Sequence, residues 1–330
     1  MTNFASNIKI QNFKSIQKLE LNDCKRINLF IGRPNVGKSN ILEALSLFSL
    51  PYYYEHNDAP NLKEFIRIKD ESQLYFNGEG YPLTDISIDG NFIKRSFLSN
   101  NFTIQTENFK FSFDIKRKDL SISYHQSFEI SKDYPYKSYF YPSIFNFVSP
   151  FIGESFLLPP NGQNLYDIIQ DNKLLKEEFL KIFQTYGLHL VFDKGSQELK
   201  VMKGVEKGEI FLIPFTSIAD SLQRLIFYKT AIKSNKNSVI TFEEPEAHTY
   251  PPYITQIAQD IIKASSNQFF ITTHSPYVVN EFLENAQSEL CIFLVDFKDG
   301  ETVARRLTDK ELEEVYNDGI DLFFNNEFFS

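Results

Sequence analysis

The residue pattern most directly suited to chemistry is a glycine-rich segment, Gly32–Ser39, which matches G-x-x-x-x-G-K-[ST]. Its glycines let backbone N–H groups turn inward around phosphate oxygens, and a helix that begins near Lys38 directs its positive end at them. In such a loop the lysine binds the β- and γ-phosphates and the Ser39 hydroxyl ligates Mg²⁺. An apolar strand pattern at 27–31 precedes the segment, and a helical pattern over 39–50 follows it. We therefore expect ATP and Mg²⁺ as cofactors. The expected nucleotide contacts are Gly32, Pro34, Asn35, Val36, Gly37, Lys38, Ser39 and Asn40.

Two acidic residues, Glu243 and Glu244, follow the apolar strand pattern at 238–242. Ligands of open α/β sheets bind at the carboxyl ends of the strands, so this is a functional position. One acid, Glu243, is expected to hold the Mg²⁺ water shell, and Glu244 to orient and activate the attacking water. The alternative is a solvated acidic loop, because Pro245 and Glu246 follow directly.

A histidine, His274, ends a further apolar strand pattern and is separated from Glu244 by one predicted helix. If the two strands are parallel neighbours, the histidine lies beside the acid pair. There its imidazole can donate to a γ-phosphate oxygen or hold the attacking water. A histidine at a strand end can also be purely structural, but the Thr-Thr-His-Ser-Pro context favours the functional interpretation.

The elements that must position these residues follow from hydrophobic periodicity. The last third alternates strands and helices, which indicates a parallel sheet covered on both faces. Between about 73 and 130, short alternating segments separated by turn residues predict an inserted antiparallel sheet. A helix is predicted over Leu174–Tyr186, and residues 133–161 resist assignment. In the last third, helices are predicted over 221–233, 252–263 and 277–283, and strands over 238–242, 269–272 and 290–295.

Composition narrows the class of protein. The net charge is −9, so the chain is poorly suited to non-specific binding of nucleic acid, because such binding relies on Lys and Arg contacts to phosphates. Hydrophobic residues make up 42%, which excludes a wholly disordered chain. With only two cysteines, a disulfide scaffold and a zinc site built from CxxC pairs are excluded. We expect no signal peptide, no membrane span and a cytoplasmic location.

These segments carry a family resemblance. Ile8–Ser15 together with Asn35–Leu45 resembles the N-terminal lobe of SMC/RecF-type ABC ATPases. Phe242–His248 followed by Thr272–Pro276 resembles the OLD-family branch of the AAA_15/AAA_21 group. That branch includes ATPase components of bacterial anti-phage systems such as PARIS. The resemblance is specific over residues 1–50 and about 210–285 only.

The resemblance implies a fold and a domain organisation. The expected fold is an α/β, ABC-type P-loop ATPase head with a mostly parallel sheet flanked by helices, plus an inserted antiparallel β region. The whole chain would form one ATPase domain. Its parts would be an N-terminal lobe with Walker A over 1–72, a β-rich and aromatic insertion over 73–160, and a C-terminal lobe over 161–330.

Residue roles also follow from the resemblance. It implies a Walker A motif at Gly32–Ser39, a Walker B acid at Glu243, a catalytic Glu244 and a switch histidine at His274. The best candidate for the ABC signature is 217–224, where Ser217, Asp220 and Ser221 would contact a partner's nucleotide. The segment lacks the expected glycine pair, and the alternative is an ordinary Asp or Ser helix cap. Candidates for the Q-loop glutamine are Gln105 and the glutamines near 163–170.

Three functions compete. The first is an ABC-type ATPase that forms a homodimer or higher homo-oligomer as a head-to-tail ATP sandwich and regulates a separate effector. The second is a RecF/SMC-like DNA-binding ATPase, which the acidic charge disfavours although a basic run at 116–118 is available. The third is a P-loop phosphotransferase, which does not need a Glu-Glu pair and a Thr-His-Ser strand.

The effector is expected to be a separate protein. OLD nucleases carry a TOPRIM domain after the ATPase, and the chain after Pro276 is shorter than a nuclease domain of ~100 residues. We therefore expect a TOPRIM- or HNH-type nuclease partner and no membrane partner. It would dock on the β region near 73–130, the aromatic stretch 133–158 or the Phe-rich tail. The tail phenylalanines are Phe323, Phe324, Phe328 and Phe329.

Overall fold

The computed structural model divides into two units, of which the first comprises 1–138, 237–244 and 265–330, and the second 139–236 and 245–264. The predicted lobe boundaries at 72 and 160 stay a prediction. Residues 117, 118, 328 and 329, and parts of 133–158, lie outside the described residues. The structure describes residues 4–55, 60–95, 101–106, 109–116, 119–124, 134–143, 145, 154–206 and 209–324.

A six-stranded sheet forms the centre of the first unit. Four strands pair in parallel, β13 (Val239–Glu243), β14 (Gln268–Thr272), β3 (Ile27–Ile31) and β15 (Leu290–Lys298). A further strand, β16 (Glu301–Arg306), pairs antiparallel with β15. Every residue of β3 and β14 is buried, as expected for parallel strands covered on both faces. In spatial order the strands are β16 (Glu301–Arg306), β15 (Leu290–Lys298), β3 (Ile27–Ile31), β14 (Gln268–Thr272), β13 (Val239–Glu243) and β9 (Tyr136–Tyr139).

A seven-stranded antiparallel sheet accompanies it. The predicted antiparallel β region is therefore present, but it is continuous with the N-terminal hairpin because β1 (Ile8–Phe13) pairs with β4 (Asp85–Ile88). Phenylalanines supply part of its buried face, and Phe102, Phe111 and Phe113 are all at most 2% exposed. In spatial order the strands are β2 (Ile16–Leu21), β1 (Ile8–Phe13), β4 (Asp85–Ile88), β5 (Asn91–Arg95), β6 (Asn101–Thr106), β7 (Phe109–Ile115) and β8 (Ile122–Tyr124).

Helices of the first unit connect these strands. The last of them begins with a capping box, in which Thr308 and Glu311 satisfy each other's backbone N–H groups, and it ends at Gly319 with a φ of 64°. No helix within the described residues is long and apolar enough to cross a bilayer. The helices are α1 (Lys38–Ser46), α2 (Leu50–Glu55), α7 (Pro276–Ala286) and α8 (Asp309–Asp318).

The second unit combines helices with a three-stranded antiparallel sheet, in the order β10, β11, β12. A buried cation crosslinks its helices, because Lys229 pairs with Asp260 and, at 2.9 Å, with Glu178. The elements are α3 (Leu165–Asp171), α4 (Lys173–Thr185), β10 (His189–Asp193), β11 (Glu198–Glu206), β12 (Glu209–Pro214), α5 (Asp220–Ser234) and α6 (Pro251–Lys263).

Candidate functional site

The glycine-rich segment joins the end of β3 to the start of α1, and both of its glycines are sterically required. A Cβ at Gly32 would lie 2.1 Å from the carbonyl oxygen of Val295 on β15. Gly37 has a φ of 99°, and its Cβ would lie 2.0 Å from Oγ1 of Thr302 on β16. The loop therefore lies directly against the β15–β16 hairpin, and only glycine allows that approach.

Lys38, the first residue of α1, is folded back onto its own loop. Its Nζ donates to the carbonyl oxygens of Gly32 at 2.9 Å and Arg33 at 2.7 Å. Burial lowers the pKa of Lys38, while Glu244 and Glu243 oppose that shift. The two carboxylates favour the charged ammonium that a phosphate would need.

The acid pair lies at the end of β13, beside β14. Glu243 is opposite Thr272 in the parallel register. Glu244 has a φ of 41°, in the left-handed region, which is uncommon for a residue with a side chain. Its backbone N–H donates to the carbonyl oxygen of Thr272 at 3.1 Å. This backbone conformation fixes where the Glu244 side chain leaves the strand, and such strained residues concentrate at functional sites.

His274 follows β14 and contacts Glu244. Its Nε2 lies 3.3 Å from Oε1 of Glu244. Burial lowers the pKa of His274, the nearby Lys38 ammonium lowers it further, and Glu244 opposes both effects. A neutral imidazole that donates through Nε2 can thus orient the carboxylate.

Sequence reasoning missed a network of charges that surrounds the acid pair. Glu43 on α1 is 1% exposed, and it pairs with Lys14 and with Nε of Arg67 at 2.8 Å. The other end of Arg67 reaches Glu243, with Nη2 lying 2.6 Å from Oε1. The sequence could have indicated the role of Glu43, because a carboxylate within an apolar helical pattern needs cationic partners when it is buried. Arg67 gave no such signal, since its contacts come from segments far apart in the chain.

A cavity of about 560 Å³ gathers most of the predicted site residues within the first unit. The Glu244–His274 pair, Lys38 and Ser39 line it together. Gly32 and Val36 belong to the same loop but are not lining residues. Glu243 is not a lining residue either, and it contacts the lining residue Arg67. The lining residues are Lys14, Ser15, Pro34, Asn35, Gly37, Lys38, Ser39, Asn40, Glu43, Arg67, Glu244, His274 and Phe297.

Comparison with known proteins identifies the family. A family model described as "AAA domain, putative AbiEii toxin, Type IV TA system" matches residues 27–280, which span the glycine loop, the acid pair and the histidine. The chain belongs to this family, AAA_21. The search of curated proteins found no match.

Solved structures show the same fold as this AAA_21 chain. An Smc head bound to the C-terminal winged-helix domain of ScpA is 14% identical, with a TM-score of 0.53, covering 94% of this chain and 99% of that one. A Pyrococcus furiosus Smc head bound to the C-terminal domain of ScpA is 13% identical, with a TM-score of 0.54, covering 96% and 99%. The predicted ABC-type P-loop ATPase fold is therefore confirmed.

The signature candidate of the AAA_21 chain lies in the second unit. Asp220 accepts hydrogen bonds from Arg224 Nε at 2.7 Å and from Tyr141 at 2.8 Å. Ser221 donates to the carbonyl oxygen of His248 at 2.9 Å. The helix cap is Ala219, which has no capping side chain, so an Asp or Ser cap does not explain this segment. Ser217 ends a short 3₁₀ turn before it. A contact between these residues and a nucleotide stays a prediction.

The candidates for the Q-loop glutamine do not join the described lining of the cavity. Gln105 lies on β6 of the antiparallel sheet, and Gln163 and Gln170 belong to the second unit.

The donor set of the AAA_21 site fits Mg²⁺. The Ser39 hydroxyl and the Glu243 carboxylate are hard oxygen ligands, and Mg²⁺ in such sites keeps several waters and binds only one or two protein groups. In the described part of the chain, no cluster of three or more His, Cys, Asp or Glu side chains is arranged for a metal ion. A site that binds the metal together with phosphates needs no such cluster.

Proposed function

We propose that this AAA_21 protein binds and hydrolyses ATP with Mg²⁺ in the manner of ABC-type ATPases. The observation that carries the proposal is the Glu244–His274 contact of 3.3 Å in the cavity that Lys38 also lines. The loop of Gly32–Ser39 would bind the phosphates, with Lys38 on the β- and γ-phosphates. Ser39 and Glu243 would hold Mg²⁺, which supplies charge neutralisation for the phosphates.

Glu244 is the proposed base for the attacking water. His274 would orient its carboxylate, or hold the water, while remaining neutral. Pro34, Asn35, Val36 and Asn40 complete the loop around the phosphates.

Two variants test the reaction. Glu244→Gln keeps the size and hydrogen bonding of the side chain but cannot accept the proton, so it should bind ATP normally and turn over ~10²–10⁴-fold more slowly. Lys38→Ala should bind ATP weakly, because it loses the phosphate-binding charge. Calorimetry and phosphate release measure the two effects. Unchanged turnover in Glu244→Gln would move the base elsewhere, with Glu246 as the next candidate.

We further propose that the protein is the sensor ATPase of a two-protein anti-phage system and controls a TOPRIM- or HNH-type nuclease. The AAA_21 description, with its toxin and toxin–antitoxin terms, supports a regulated defence role. In the described ranges, no group of three or more His, Cys, Asp or Glu side chains is arranged to hold a metal ion. A neighbouring nuclease gene would support the role.

Purified protein with ATP, Mg²⁺ or Mn²⁺ should leave plasmid and tRNA intact. Cleavage that is lost on mutation of this site would contradict the sensor role.

The second candidate is a RecF/SMC-like DNA-binding ATPase, which the similarity in fold to Smc heads favours. The net charge of −9 opposes it. A salt titration of DNA binding distinguishes the two, because contacts to Z phosphates give a slope of about −0.9Z in log K against log salt. A sensor ATPase should give weak binding at all salt concentrations.

A further inference from the structure

The strand at one edge of the three-stranded sheet in the second unit exposes apolar side chains on both of its faces. β12 pairs with β11 on one side, and within the described ranges no strand pairs with its other side. Successive side chains of a strand point to opposite faces. Ile210 is 58% exposed, and its neighbour Phe211, on the opposite face, is 77% exposed. An unpaired edge with exposed apolar residues is a template for a further strand.

A bulge in β11 explains the exposure of Phe211. The register between β11 and β12 shifts between Met202 and Val205, so two residues of β11, Lys203 and Gly204, oppose the single residue Phe211. Gly204 has no side chain and Lys203 is exposed, so β11 places no apolar side chain opposite the Phe211 ring. The extra residue belongs to β11, and β12 remains a continuous strand over its six residues.

The other edge strand of this sheet, β10, has a different character. His189 is its exposed residue, and its apolar residues are buried or half-buried. The Phe192 ring lies 5.9 Å from the Tyr166 ring on α3, and the Lys176 ammonium on α4 lies 4.4 Å from the centre of the Phe192 ring. The exposed apolar edge of the sheet is therefore β12.

Two copies of β12 are complementary to each other. A twofold axis perpendicular to the sheet pairs a strand with its own copy in antiparallel orientation, and directly opposed residues share a face. With Phe211 on the axis, the two Phe211 rings oppose each other, and Ile210 opposes Leu212 of the second copy. Glu209, the charged residue of β12, then opposes Ile213 rather than another carboxylate. This register pairs aromatic with aromatic and aliphatic with aliphatic residues, and it brings no like charges together.

We propose that β12 is an edge for self-association, through which two copies of this chain join their three-stranded sheets into one continuous antiparallel sheet centred on Phe211. The pairing uses the exposed apolar edge of each copy, so it closes as a dimer. It involves no nucleotide. It is therefore separate from an ATP sandwich and does not depend on the proposed ATPase function.

Sedimentation of the full chain without nucleotide, over a range of concentrations, measures this association. The wild type should show a reversible monomer–dimer equilibrium. Phe211→Lys and Phe211→Glu each place two like charges opposite each other and remove two buried rings. Each variant should weaken dimerisation about 100-fold, or about tenfold for each ring. An equimolar mixture of the two variants should associate more tightly than either alone, because its heterodimer places an ammonium opposite a carboxylate.

Leu174→Lys is the matched control, because Leu174 on α4 of the same unit is 79% exposed. It should dimerise as the wild type does. The inference is overturned if the wild type is monomeric at all concentrations, if Phe211→Lys dimerises as tightly as the wild type, or if the mixture associates no more tightly than its components. A wild type that associates only with ATP would also overturn the β12 pairing, and it would leave the proposed ATPase function intact.

Discussion

At the residue scale, the site is built from charges that hold each other in place. Glu43 has almost no exposure and neutralises Lys14 and one edge of Arg67, while the other edge of Arg67 holds Glu243. The Glu43–Lys14 pair is the buried part of this group, and removing Lys14 would leave a buried carboxylate without that partner, which costs about 3–5 kcal/mol. In the same way, burial and the neighbouring charges of Lys38 and Glu244 set the pKa of the His274 imidazole.

The pH dependence of turnover tests the role of His274. Burial and Lys38 lower its pKa from 6.5, so the imidazole stays neutral at pH values where an ordinary histidine is half protonated. If the neutral form supports catalysis, the acid limb of the kcat profile should lie at a lower pH than the 6.5 of an ordinary histidine. His274→Gln retains a donor but cannot titrate, so the part of the acid limb that is due to histidine should disappear. An acid limb above pH 7 in the wild type would contradict this role.

At the scale of elements, the phosphate loop depends on the β15–β16 hairpin as much as on its own residues. Thr302 bonds to the carbonyl oxygen of Val36 and lies 2.6 Å from the Ser15 hydroxyl, so the hairpin connects the loop to the β1–β2 turn. The requirement for glycine at position 37 comes from this packing in addition to its φ of 99°.

Two glycines with similar φ angles allow that requirement to be measured. Gly37 has a φ of 99° and Thr302 within its Cβ volume, whereas Gly300 has a φ of 86° and no atom within 4 Å. Gly300→Ala should cost only the conformational penalty of about 1–2 kcal/mol. Gly37→Ala adds a steric clash, so it should lower the thermal midpoint further and abolish ATP binding. Equal midpoints for the two variants would mean that the hairpin does not constrain the loop.

At the scale of the whole molecule, the ATP sandwich is the central hypothesis. Lys38 belongs to the first unit and Ser221 to the second. In a head-to-tail dimer each site would combine the phosphate loop of one chain with the signature segment of the other. Association should therefore increase with ATP.

Complementation between defective chains tests the sandwich. Lys38→Ala and Ser221→Arg should each be inactive alone, whereas a mixture should recover activity because a heterodimer contains one intact composite site. Sedimentation with and without ATP measures the association. Full activity of monomers under all conditions would show that one chain is sufficient.

The sequence alone determined the class of fold and the identity of the phosphate loop. Both depend on local patterns, because glycine spacing, apolar runs and strand–helix alternation are readable without knowing which segments meet. It also predicted that His274 would lie beside the acid pair, since parallel strands joined by one helix are commonly neighbours. It missed β5, β9 and β12, whose short or aromatic-rich segments lack a clear period.

Only the tertiary structure decided the surroundings of the site. Arg67 reaches Glu243, and Thr302 supports the phosphate loop from the far end of the chain. Phe297, which is also far from Lys38 in sequence, lines the same cavity as Lys38. These contacts join residues that are distant in sequence. No periodic pattern in the sequence indicates which of their side chains will meet. They are fixed by strand order and register, which arise when the whole apolar core is buried together rather than from any single segment.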